Sequence, residues 1–108
     1  MSKENQIEIR FGTVFKVRGE ESGIIDVIIN TMEGEDNCFS AATIHETEEG
    51  ESMFWWAGGG DPEKIEEIIG TMTLKEMLRA AKLGGCSEEQ MQVLQEYSSQ
   101  PPKMLNLG

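Results

Sequence analysis

The sequence predicts an α+β fold: a four-stranded antiparallel β-meander followed by two or three short α-helices packed on one face. Three observations predict it. Apolar residues alternate with polar ones up to Gly58-Gly59-Gly60, they recur at helical spacing afterwards, and the second half holds two capping boxes. Strands and helices in separate blocks are the α+β arrangement. The chain has 108 residues, the size of one domain. That domain is expected over 1–100, with strands at about 6–57, helices at about 62–98 and a loose tail over 101–108.

The first strand runs from Ile7 to Val17, where Ile7, Ile9, Phe11, Phe15 and Val17 alternate with Glu8, Arg10 and Lys16, and Gly12 marks a kink or bulge. Gly19 to Gly23 reads as a hairpin loop. The second strand, Ile24 to Asn30, is β-branched on both faces, which fits an interior strand. A helix over Ile24–Met32 competes, since Ile24, Ile25, Ile28, Ile29 and Met32 also form a stripe, but β-branched density and flanking glycines favour the strand. After a turn at Glu33–Asn37 come a third strand, Cys38 to Glu46, an acidic loop, and a fourth strand, Ser52 to Ala57.

Beyond the glycines, Asp61 caps a first helix with Pro62 at its first position and Ile65, Ile68, Ile69 and Met72 as its apolar stripe. Thr73 opens a second with Glu76 as box partner, stopped by Gly84 or Gly85. Ser87 opens a third with Gln90, burying Met91, Leu94 and Tyr97.

The charge distribution narrows the function. Nine Lys+Arg against twenty Asp+Glu give a net charge of −11, and residues 19–63 hold twelve acids and no base. Such a segment repels phosphate backbones and attracts basic surfaces within about 8–10 Å. Direct nucleic-acid binding is disfavoured, because it draws its affinity from Lys and Arg releasing counterions. No apolar run reaches the roughly 18–20 residues of a membrane helix, and the first residues lack the apolar stretch of a secretory signal. The expectation is a cytoplasmic protein, in host cytoplasm if phage-encoded.

Motifs for chemistry are sparse, and no cofactor or metal site is expected. Cys38, His45 and Cys86 lack the close pairing of zinc ligands. Cys38 and His45 on one strand would stand about 23 Å apart and on opposite faces, too far for a nucleophile and its base. His45-Glu46-Thr47-Glu48-Glu49 lacks the second histidine of a zinc-protease helix, and Gly58-Gly59-Gly60 lacks the Lys-Ser/Thr of a phosphate loop, leaving a strand-to-helix connector. Met77 to Leu94 has helix-turn-helix spacing, with Ala81 and Gly85 at the close-contact and turn positions. Its second helix, however, begins Ser87-Glu88-Glu89-Gln90, carboxylates where phosphates and base edges would lie. In Met53-Phe54-Trp55-Trp56-Ala57, alternation separates the tryptophans onto opposite faces, so one is exposed if helices cover one face only, and both are buried if a loop covers the other.

The expected function is a non-enzymatic acidic binding protein. Glu20, Glu21, Asp26, Glu33, Glu35, Asp36, Glu46, Glu48, Glu49 and Glu51 would dock on a basic, nucleic-acid-handling protein and occlude it, with Trp55 or Trp56 as apolar anchor. In composition, though not in sequence, the chain resembles small phage-encoded inhibitors that mimic nucleic acid or block a basic site. Two alternatives stand beside it: a small-ligand or catalytic module with a pocket between sheet and helices, and a helix-turn-helix DNA-binding regulator.

Overall fold

The computed structural model describes residues 6–19, 23–32, 38–60 and 62–106, and the side chains at 55–59 lie outside that description. The fold is α+β, with antiparallel sheets and two helices.

The first apolar stretch does not stay in one strand. It breaks at Phe11-Gly12 into β1 (Gln6–Ile9) and β2 (Thr13–Val17), which enter different sheets. Gly12 makes the break, with φ at +92°. Its N–H donates to the Ile28 carbonyl at 2.8 Å and its carbonyl accepts from Met72 N–H at 2.8 Å. A β-carbon there would lie 2.3 Å from the Met72 oxygen, so only glycine fits.

β2 then leads a meander through β3 (Ile25–Asn30), β4 (Phe39–Glu46) and β5 (Ser52–Gly60). β5 is longer than expected: Gly58, Gly59 and Gly60 pair with Ala41, Ser40 and Phe39 rather than connecting to a helix.

The helix expected after Pro62 is absent. A single 3-10 turn, Pro62–Lys64, gives way to β6 (Ile65–Thr71), which pairs antiparallel with β2. Ile65, Ile68 and Ile69 favour strand as β-branched residues. The unpaired edge of β2 offers backbone partners that a helix would leave unsatisfied. The four-stranded meander is thus a five-stranded sheet, in the order β5-β4-β3-β2-β6. Residues Lys103–Asn106, expected in the loose tail, form β7 and pair with β1 as a separate two-stranded ribbon.

The five-stranded sheet is strongly curled. Gly60 and Ile65 lie on opposite edges yet are five Cα steps apart, a reach of at most about 19 Å. A flat sheet of five strands already separates its edges by about 19 Å, before any offset along the strands. The concave face carries Phe15, Ile28, Phe39, Ala41 and Ile65, capped by Ile9 and Leu105 of the ribbon. On the convex face Val14, Val27, Ile29, Ala42 and Phe54 pack against Met77, Ala80, Ala81 and Leu94 of the helices.

α1 (Leu74–Leu83) and α2 (Glu88–Tyr97) begin with the two expected capping boxes, Thr73 with Glu76 and Ser87 with Gln90. α1 ends at Gly84, where a β-carbon would come within 2.1 Å of the Phe54 carbonyl oxygen; the missing side chain lets the helix end lie directly on β5. Gln100 then ties the chain back to the sheet. Its Oε1 accepts from Thr31 N–H at 2.9 Å and its Nε2 donates to Asn30 Oδ1 at 2.8 Å.

Candidate functional site

The β4–β5 turn and the first residues of β6 lie toward the same end of the curled sheet. Alternation puts Asp26 of β3 on the concave face with Ile28, directly opposite Phe15 on β2 and Thr43 on β4. Asp26 therefore does not belong to a solvated docking face. It is half-buried, and its Oδ1 is shielded from solvent without a hydrogen-bond partner. Burial raises its carboxyl pKa above the ordinary value; a hydrogen bond with Thr43 and the charges of Lys64 and His45 act in the opposite direction. Beside this end of the sheet an open cleft of about 350 Å³ is lined by Arg18, Pro62, Glu63 and Ile65. Arg18 is held there by its backbone N–H on the Lys64 carbonyl at 2.7 Å.

Of the acids expected on the docking face, the structure exposes those at the β4–β5 turn. Thr47 N–H donates to the Glu51 carbonyl at 2.7 Å, Gly50 N–H to the Thr47 carbonyl at 2.9 Å, and Glu51 N–H to Thr47 Oγ1 at 3.1 Å. Glu48 and Glu49 are exposed on this ordered turn, and Glu46 is exposed at the end of β4 that leads into it. Glu51 instead turns toward α1 and pairs with Arg79 at 2.6 Å. Glu20, Glu21, Glu33, Glu35 and Asp36, and the side chains of Trp55 and Trp56, fall outside the described residues, as does the expected cap Asp61.

The structure also groups residues that the sequence reading passed over. Lys75, Arg79 and Lys82 line the outward face of α1, opposite buried Met77, Ala80 and Ala81. Their spacing of four and three residues was the available signal. α2 turns Glu88, Glu89, Gln92, Gln95 and Glu96 to solvent, a face without a base.

The layer between sheet and helices, where a ligand pocket was one expectation, is filled by the apolar side chains of the convex core, most of them fully buried. A smaller cleft of about 210 Å³ lies at its margin, lined by Glu51, Ser52, Met72, Glu76 and Arg79. Cys38 precedes β4 and His45 lies near its far end, so β4 holds them apart. Burial raises the thiol pKa of Cys86 above its ordinary value. Among the described residues no three His, Cys, Asp or Glu side chains converge on a point that holds a metal ion, and no helix is long and apolar enough to cross a membrane.

Comparison of the chain with known protein families, with curated proteins and with solved structures gives no match.

Proposed function

We propose that this protein is a non-enzymatic binding protein that docks its acidic β4–β5 turn on a basic surface of a protein partner and occludes it. The observation that carries this reading is the turn itself: Glu46, Glu48 and Glu49 are exposed together on a backbone held by three hydrogen bonds. A pre-ordered turn loses little conformational freedom on binding, and its charges steer a basic partner into encounter. Trp55 and Trp56, on the strand that leaves this turn, are the apolar anchors of the proposal. A nucleic-acid-handling protein is the partner class, since its basic site is the surface such a turn complements. The absence of bases on the outward face of α2 speaks against DNA reading by that helix.

The test is capture of a basic protein from bacterial lysate at low salt and its release at high salt, followed by affinity measurement on the purified pair. Reversal of Glu46, Glu48 and Glu49 to lysine is expected to weaken binding by roughly tenfold or more, mostly through a slower on-rate. Unchanged affinity would remove the turn from the interface.

A second reading, a small-ligand module, starts from one observation, the buried Oδ1 of Asp26 without a hydrogen-bond partner. A small ligand bearing a hydrogen-bond donor would satisfy it. A thermal shift with such a ligand, lost in Asp26→Ala and kept in the turn variant, would support this module over the docking reading.

A further inference from the structure

The acidic turn and the basic face of α1 are neighbours, joined where Glu51 meets Arg79 at 2.6 Å. That contact uses one charge from each side. Glu76, the acid on the same stretch of helix, folds back to accept from Thr73 N–H at 2.9 Å in the capping box. Lys75 and Lys82 remain on the helix, about 10.5 Å apart along its axis at 1.5 Å per residue. Glu46, Glu48 and Glu49 remain at the turn. Leu83, 43% exposed, lies on the same side of α1, one turn beyond Arg79.

We infer that this patch pairs with the same patch on a second copy of the chain, the turn of each protomer lying along the α1 face of the other. A two-fold interface needs a surface complementary to itself, with residue i against j and j against i. An acidic turn beside a basic stripe meets that requirement, because one rotation brings both contacts together. The helix charges are three of only nine Lys and Arg in the chain, in a protein of net charge −11, so basic surface is scarce and this is its densest exposed group among the described residues. Two chains of that charge repel at long range, but near 0.1 M salt repulsion is screened beyond about 10 Å and local pairing decides. The inference does not rest on the docking reading: it concerns the chain's own mass, and a basic partner would compete for the same turn.

A charge swap tests it, using light scattering and sedimentation of the full chain at high concentration in about 0.1 M salt. The wild type is expected at twice the 12.0 kDa chain mass, and at chain mass in about 0.5 M salt, where the Debye length is shorter still. K75E/K82E alone and E48K/E49K alone are each expected at chain mass. Their equimolar mixture is expected at twice that mass, since every reversed charge then meets its opposite. E48K/E49K is four charges less negative than the wild type, so an account by net charge has it associate more, whereas the patch has it associate less. The neutral pair K75Q/K82Q and E48Q/E49Q, with circular dichroism matched to the wild type, weakens the dimer from each side should a reversal disturb folding. A wild type at chain mass throughout, a mixture that stays monomeric, or association of E48K/E49K stronger than the wild type would each overturn the inference.

Discussion

The rings of Phe15 and Phe39 meet edge to face, with centroids 5.9 Å apart and planes at 89°. They come from β2 and β4, two strands apart in the sheet, and Phe39 lies four residues along β4 from Thr43, the residue level with Phe15 through Asp26. On a flat sheet these rings would not touch. Their contact spans the curl.

Phe39→Ala removes that contact and opens a hole in the concave core, where Phe39 is 1% exposed. The expected loss is about 3–5 kcal/mol, a large part of the roughly 5–15 kcal/mol of a whole domain. Urea unfolding measures it. A loss below about 1 kcal/mol would mean that the sheet holds its curl without the aromatic pair.

Asp26 gives a pH dependence with a definite sign. Its folded-state pKa is raised above the ordinary 3.8 by burial, so the folded chain holds this proton more tightly than the unfolded one. The stability that the protonated form contributes is fully present below the unfolded value. It is lost as pH rises through the folded value. Asp26→Asn removes the buried charge and is expected to raise stability at neutral pH by about 1 kcal/mol and flatten the profile on the acid side. Unfolding free energies of both proteins from pH 3 to 8 decide it; a destabilised variant at neutral pH would show that the carboxylate is satisfied in the folded protein.

Gly84→Ala places a β-carbon 2.1 Å from the Phe54 carbonyl oxygen, a backbone atom that cannot swing aside. The end of α1 must lift from β5, at an expected cost of about 1–3 kcal/mol. Hydrogen exchange should rise along Phe54 and its partner Ile44 on β4. Wild-type protection there would place the adjustment in the helix instead.

Gln100→Ala leaves the buried Thr31 N–H without its acceptor and removes one donor from Asn30 Oδ1, which still accepts from Met32 N–H. The expected cost is about 1–3 kcal/mol. Because Gln100 lies only three residues before β7, the ribbon should loosen first, with amide exchange at Leu105 rising before that of the five-stranded sheet. Uniform acceleration across both sheets would mean that the ribbon does not open on its own.

Local signals carried much of this architecture. The alternation around Val27 and Ala42 and the Thr73 and Ser87 capping boxes each read correctly, because each depends on residues within one element. β6 was hidden because Ile65, Ile68, Ile69 and Met72 satisfy a helical stripe as well as a strand, and only the open edge of β2 decides between them. β7 had no local mark at all: it pairs with β1, with Gln6 opposite Asn106, far away in sequence. Of the candidate site, the exposed turn at Glu46, Glu48 and Glu49 was legible from its charge. Asp26 was misread, although its place two residues before Ile28, in the alternation that fills the concave core, was the signal of a carboxylate turned inward.

The ribbon also sets a timetable for synthesis. β7 is made long after β1, and each supplies one of the two residues, Ile9 and Leu105, that cap the concave core. At about 5–20 residues per second, β1 waits several seconds for the strand it pairs with. Over that interval Ile28, Phe39 and Phe15 are made but uncovered. Closing so long a loop also comes late in refolding, because its entropy must be lost before the contact forms. A nascent chain stalled before Lys103 would present the ribosome's surroundings with an apolar surface that the finished protein never shows.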